Sequence, residues 1–340
     1  MRRKDRGEYL QKIFSLILAV FTLLLLMVFL RMLIFDKKVS HDRSKEISSQ
    51  TEKRQINREK VQKEEKEEKV EAEEEGQEQS NQKEWLSLTE DDKYRGNLIL
   101  VNYQYPYHFE QNRETANLVN IKDYQGISYP VGKEDMQLRQ SVLPALDTMI
   151  GALKSELVNS SIGVSSAYRS QEYQMAIFAQ YEQEYGRDYA KAYVANPGNS
   201  EHHTGLALDF GIYYEDGSEG TFSESESALW MANNSYRYGF IRRYQAEKAA
   251  ITKINNESWH FRYVGIAHAS YMQANQLCLE EYVDYLRNTT SKESPLQITT
   301  ENGEVYLVYA SKEMQMEKPS GEYEVSGDNI DGYIITERLS

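Results

Sequence analysis

The longest apolar run lies near the amino terminus, where residues 13 to 30 carry no charge and, after Arg31, the run resumes to Phe35. That is about the 20 residues a membrane-spanning helix needs, and more than the ~7–15-residue apolar core of a signal peptide. No small-residue cleavage pattern follows Phe35, so the run predicts a retained anchor. From Asp36 to about Glu84 the chain turns polar, and between Arg58 and Glu84 the apolar residues are Val61, Val70 and Ala72. Such a segment cannot offset the entropy of ordering; it reads as a stalk, either an extended spacer or a solvated helix laced with Glu/Lys pairs.

Patterns of a folded domain begin near Gly96. Residues 97–102 read as a short buried strand, followed by a Tyr/Pro-rich loop. Leu138, Val142, Leu146, Met149, Leu153 and Leu157 are spaced by three or four, the period of a helix face, and Pro144 predicts a kink or a start close to it. Ile162 to Ala167 reads as a strand, Ser170 as the N-cap of a helix through about Tyr185, and Asp188 to Ala195 as another helix before Asn196-Pro197-Gly198. Leu206 to Ile212 reads as a buried strand after a turn at Thr204-Gly205. Ser223 with Glu226 has the form of a capping box, residues 240–244 and 259–264 of strands, and residues 266–287 of one long amphipathic helix. Helices and strands mix without regular βαβ alternation, which predicts an α+β domain with helices packed on a small, largely antiparallel sheet. Beyond Ser291, alternating stretches at 305–309, 323–325 and 332–335 predict a small β appendage.

Composition narrows the classes of function. A formal net charge of −14 over 340 residues argues against a nucleic-acid partner, which needs a clustered basic face. The single cysteine, Cys278, excludes an internal disulfide framework and sits in an apolar helical pattern, as a plain core residue would. Arg2, Arg3, Lys4, Arg6 and Lys12 precede the apolar run and Lys37, Lys38, Arg43 and Lys45 follow it, so charge asymmetry alone barely orients the span.

The chemistry concentrates in Ser200-Glu201-His202-His203-Thr204-Gly205-Leu206-Ala207-Leu208-Asp209 and in Glu257-Ser258-Trp259-His260. Two imidazoles, an aspartate and a separate glutamate are what a hydrolytic zinc centre uses: three protein ligands, an open position for water and an unligated carboxylate to shuttle the proton. Spacing by itself does not establish that centre. Seven residues apart on an unbroken strand, His202 and Asp209 would face opposite ways, which is why a turn at Thr204-Gly205 is required.

Four ordered motifs carry a resemblance. Ser166-Ala167-Tyr168-Arg169-Ser170, the Ser200 to Asp209 string, Asn234 to Tyr244, and Glu257-x-Trp259-His260 through Gly265 are similar to those of the VanY-type zinc carboxypeptidases, over roughly residues 96 to 287. These are D-alanyl-D-alanine carboxypeptidases of bacterial cell walls, with L,D-cleaving relatives. The resemblance implies zinc held by His202, Asp209 and His260, with Glu257 as general base. It implies Arg169 as the group that anchors a substrate carboxylate or a developing oxyanion, and Tyr168, Gln174 and Ser200 as residues around the substrate. His203 reads as a neighbour of the centre, and Arg242, Arg243 and Arg262 as structural partners. No S-x-x-K with S-D-N and K-T-G companions is present, which disfavours a serine-type enzyme.

The organisation expected is a cytoplasmic tail (1–12), a transmembrane helix (13–35), a charged stalk (36–95), a zinc carboxypeptidase domain (96–290) and a β appendage (291–340). The function expected is removal of the terminal D-alanine from peptidoglycan stem peptides on the outer face of a bacterial membrane, with the amino terminus inside. An L,D-carboxypeptidase acting on tetrapeptides and a catalytically silent wall-binding protein are the alternatives.

Overall fold

Secondary structure is present ahead of the expected boundary at Gly96. The computed structural model describes residues 84–112 and 117–339, so the predicted tail, membrane helix and stalk up to residue 83 lie outside the described residues. Among the described residues no helix is long and apolar enough to cross a membrane. Strand β1 (Trp85–Ser87) pairs antiparallel with Gln315–Glu317, and Glu90–Tyr94 forms a 3-10 turn.

Leu98 to Val101 are buried, as their apolar run predicts, but they form no strand. Side chains replace the missing ladder. Arg262 donates to the carbonyls of Asn97 and Ile99 at 2.9 and 3.0 Å, Asn329 donates to that of Leu100 at 2.9 Å, and the Ser326 hydroxyl accepts from the Leu98 amide at 2.8 Å. Buried backbone groups need partners, and here they find them without a sheet.

Strands β2 (Leu118–Asn120) and β3 (Gln137–Arg139) form a two-stranded ribbon. The apolar series from Leu138 is then divided among elements: Leu138 lies in β3, Val142 in a 3-10 turn, and helix α1 runs over Leu143–Glu156. Pro144 sits in the first turn of α1, where its absent N–H leaves no bond unmade. Leu146, Met149, Ile150 and Leu153 pack into one apolar cluster with Ile162, Leu208, Phe210 and Phe261.

Strand β4 (Ile162–Ser166) leads to α2 (Gln171–Tyr185), capped by the Ser170 hydroxyl, which accepts from Tyr173 N at 3.1 Å. The short helix α3 (Arg187–Tyr193) follows, then β5 (Ala207–Tyr213) and its partner β6 (Glu219–Gly220). The capping box expected at Ser223 and Glu226 does not form. A 3-10 turn over Phe222–Glu224 moves the cap to Ser225, whose hydroxyl accepts from Ala228 N at 3.1 Å and opens α4 (Glu226–Asn234). Strands β7 (Phe240–Tyr244) and β8 (Glu257–Tyr263) complete a central sheet of order β4-β5-β8-β7, antiparallel throughout. The mixed α+β reading with a small antiparallel sheet is what this part of the chain forms.

The single helix expected over 266–287 is two, α5 (Ile266–Asn275) and α6 (Leu279–Thr289). Gln276 adopts the left-handed region at φ 54° and closes α5, and Cys278 is the buried N-cap of α6, its amide donating to Glu281 at 2.9 Å. Strands β9 (Leu296–Thr299), β10 (Val305–Ser311), β11 (Gln315–Glu317), β12 (Glu322–Gly327) and β13 (Tyr333–Arg338) follow, and four of them form a second antiparallel sheet of order β12-β13-β10-β9. Ile298, Val308 and Ile334 share a cluster with Leu98, Val264, Met272 and Leu286, so this sheet is fused to the rest of the fold by a common core.

Candidate metal centre and active site

One glycine lets the two halves of the Ser200–Asp209 string meet. His202 lies in a buried 3-10 turn, Glu201–Thr204, which ends at Gly205 with φ +68°. A Cβ there would stand 2.5 Å from Leu118 Cδ2, so both backbone and packing demand glycine. The chain then enters β5, where Leu208 and Phe210 face the core and Asp209 faces the opposite side. Register does the rest. Asp209 lies directly across from His260 on β8, which brings their Cβ atoms to about 5 Å. Ligand atoms of His202, Asp209 and His260 all fall within 4.8 Å of one another, and all three residues are buried.

Glu257 joins this centre through an irregularity. On a regular strand Glu257 and His260 would face opposite sides. The β7–β8 register slips between Arg242 and Tyr244, so that Tyr244 pairs with Glu257 but Arg242 with Phe261, and both Glu257 and His260 line one cavity of about 370 Å³.

The hydrogen bonds decide which atoms face the centre. His202 Nδ1 lies 2.6 Å from the Ala167 carbonyl, a pure acceptor, so it carries the proton and Nε2 is turned, lone pair first, toward Asp209 Oδ2 at 3.3 Å. His260 Nε2 lies 3.4 Å from Glu201 Oε2, which leaves Nδ1 toward Asp209 Oδ1 at 2.9 Å. Two imidazole lone pairs and a carboxylate thus converge, an arrangement that is repulsive without a cation or a proton among them. Nitrogen and oxygen donors in this number suit zinc, and the outer nitrogens are held by a carbonyl and a carboxylate, as metal-bound imidazoles usually are.

Electrostatics follow from the same contacts. Burial alone would raise the Asp209 carboxyl, but the two imidazoles and Arg169 hold it well below the usual carboxylate range. Burial lowers His202 to about 4. Without a metal, His260 carries the extra proton: burial is outweighed by the hydrogen bonds to Asp209 and Glu201, its pKa rises to about 9, and a cation bound at the centre would take that proton's place. Burial also pushes the Glu257 carboxyl up to about 7 when no metal is bound.

Arg169 lines the cavity and donates from Nη2 to Asp209 Oδ2 at 2.7 Å and to Ser166 Oγ at 2.9 Å. Gln174 is fully buried, braced by the Ala195 carbonyl at 2.9 Å, and lines the same cavity, as does Ser200. Tyr168 does not line it; its amide bonds to the Gln137 carbonyl at 2.9 Å and its ring is half-buried elsewhere. His203 is a strut, as its position beside the motif histidine predicts: Nδ1 meets the Arg169 carbonyl at 2.7 Å and Nε2 accepts from Gly198 N at 3.1 Å.

Glu201 is the residue that sequence reasoning passed over. Its Oε1 accepts from Arg243 Nε at 2.9 Å and Arg262 Nη1 at 2.8 Å, while Oε2 steadies His260. Arg243 in turn clamps Glu280 on α6 at 2.6 and 2.8 Å. Burial would raise the Glu201 carboxyl, but the two guanidinium groups keep it well below the usual range. Its neighbours Ser200, His202, His203 and Thr204 are all polar, so the string gives no sign that Glu201 is buried; once buried the carboxylate needs cationic partners, and Arg243 and Arg262 are those partners. Tyr244, stacked on His260 at 4.9 Å, was also missed.

A family model described as D-alanyl-D-alanine carboxypeptidase matches residues 135–266. A D-alanyl-D-alanine carboxypeptidase of Enterococcus faecium is 33% identical over 258 residues, covering 74% of this chain and 78% of its own. The bifunctional D-Ala-D-Ala dipeptidase and D-Ala-D-Ala carboxypeptidase VanXYC of Enterococcus gallinarum is 33% identical over 195 residues, 56% of this chain and 96% of that protein. Among solved structures, the vancomycin resistance D,D-dipeptidase VanXYg in complex with a D-Ala-D-Ala phosphinate analogue aligns with a TM-score of 0.67 and 29% identity, over 75% of this chain and 99% of that one.

Proposed function

The chain belongs to the VanY family of D-alanyl-D-alanine carboxypeptidases, and from that premise we propose that it is a zinc-dependent enzyme removing the terminal D-alanine from peptidoglycan stem peptides. The observation that carries this reading is the convergence of His202, Asp209 and His260 within 4.8 Å, in one cavity with Glu257. Those three residues would hold the ion. Zinc, when bound, supplies Lewis acidity and brings the pKa of a water toward ~7. Glu257, as a carboxylate, takes a proton from the attacking water and returns it to the leaving amine. Arg169 offers a guanidinium fork on the cavity wall to a substrate carboxylate or to the developing oxyanion. Gln174 and Ser200 shape the wall beside it.

The apolar run at 13–35, with the amino terminus inside, anchors the enzyme so that everything after it faces the wall; the uncharged run and a wall-directed substrate support this. Stem peptides test the assignment. A pentapeptide ending in D-Ala-D-Ala should release alanine far faster than a tetrapeptide ending in one D-Ala. Release mainly from the tetrapeptide would move the chain to the L,D-cleaving branch.

A further inference from the structure

A second cavity, of about 330 Å³, adjoins the catalytic one and shares with it Val194, Ala195, Tyr244 and Ile254. The rest of its lining is Tyr103 and Thr252, the three asparagines Asn102, Asn196 and Asn199, and two lysines, Lys191 and Lys253. No carboxylate lines it, in a chain whose formal net charge is −14.

Both lysines are placed to use their charge. Lys191, exposed on α3, has no ion pair or side-chain hydrogen bond among the described residues. Lys253 follows the one-turn helix Ala249–Thr252 in the left-handed region, at φ 62°. Glycine or asparagine is the usual occupant of such a position, and a lysine there is strained. Its ammonium gives one proton to the Ala250 carbonyl at 2.7 Å and has two left. Glu280, which Asn102 touches at 3.2 Å, is already clamped by Arg243 and does not neutralise the lysines.

We propose that this cavity is a subsite for the amino-terminal side of the substrate peptide, and that Lys191 and Lys253 recognise a carboxylate carried there. The proposal rests on the carboxypeptidase reading. A carboxypeptidase needs room for one residue beyond the scissile bond, whereas the four residues before it can span about 13–14 Å and must leave the catalytic cavity. The adjoining cavity shares Val194, Ala195, Tyr244 and Ile254 with the catalytic one and is therefore close enough to receive them. A glutamyl residue joined through its side chain keeps its α-carboxylate free, and this is the group the lysines suit.

The test is a binding titration on Glu257→Gln protein, which separates recognition from turnover. The probes are acetyl-L-Ala-γ-D-Glu-L-Lys-D-Ala-D-Ala and the same peptide with that α-carboxylate converted to a carboxamide. Two exposed ion pairs should make the carboxylate form bind about fivefold tighter at low salt, and less so in 0.5 M salt, with ~0.5 M chosen to shrink the screening length well below 10 Å. Adding Lys191→Gln should lower the ratio to about twofold, and adding Lys253→Gly to that should bring it to about one. Lys253→Gly, a residue at ease in the left-handed region, should lower the ratio without weakening the fold. A ratio near one in the parent, or one unmoved by Lys191→Gln, overturns the subsite. If wild-type protein released no alanine from either peptide, the carboxypeptidase reading would fail while the binding ratio still judged the subsite.

Discussion

At the scale of single residues, the convergence of His202, Asp209 and His260 was legible because a motif joined side chains whose spacing alone fits no regular element. Glu201 was not, since nothing in a linear string says that two arginines 42 and 61 residues later will close around it. Its replacement makes a sharp prediction. Glu201→Gln should weaken zinc binding about 10–100-fold, read by equilibrium dialysis, because His260 loses its outer partner. It should also destabilise the fold by about 3–5 kcal/mol, as Arg243 and Arg262 lose a buried counter-charge. Glu257 offers a pH test in metal-free protein. Its native pKa of about 7 lies above the ordinary 4.5, so the native state holds a proton that the unfolded chain has released. The stability tied to that proton is complete below the unfolded pKa and is lost as pH rises through about 7. Glu257→Gln escapes this loss, and urea unfolding should show the metal-free variant gaining on wild type by on the order of 2 kcal/mol between pH 5 and 8.

At the scale of elements, periodicity identified the core well and the boundaries less well. Leu138 and Val142 are buried as the helical spacing predicts, yet they belong to a strand and a turn, because burial periodicity does not record where hydrogen bonding changes. The division of 266–287 at Gln276 carries no glycine or proline to announce it. The slip between β7 and β8 that brings Glu257 beside His260 is likewise set by pairing across strands, which a single strand's pattern does not contain. The turn at Gly205, in contrast, followed from the need to bring His202 and Asp209 together. Gly205→Ala should destabilise the protein by about 1–3 kcal/mol from the left-handed backbone alone, with more from the contact with Leu118, and chemical denaturation measures it.

At the scale of the whole molecule, the sequence indicated an α+β domain and a β-rich tail, but not their fusion. His268 shows how the fusion is made: buried in α5, it bonds Tyr282 on α6 at 2.8 Å and Thr336 on β13 at 3.0 Å. Shaving intact cells with protease should cut the catalytic domain if the 13–35 run holds it outside, whereas cutting only after lysis would contradict that placement. The central claim is that this centre hydrolyses peptide bonds with Glu257 as its proton shuttle. Turnover of a D-Ala-D-Ala pentapeptide by Glu257→Gln, with zinc content measured on the same sample, tests it most directly. The variant should keep close to one zinc per chain and lose ~10²–10⁴-fold in kcat. Full zinc content with turnover within a few-fold of wild type would contradict the account.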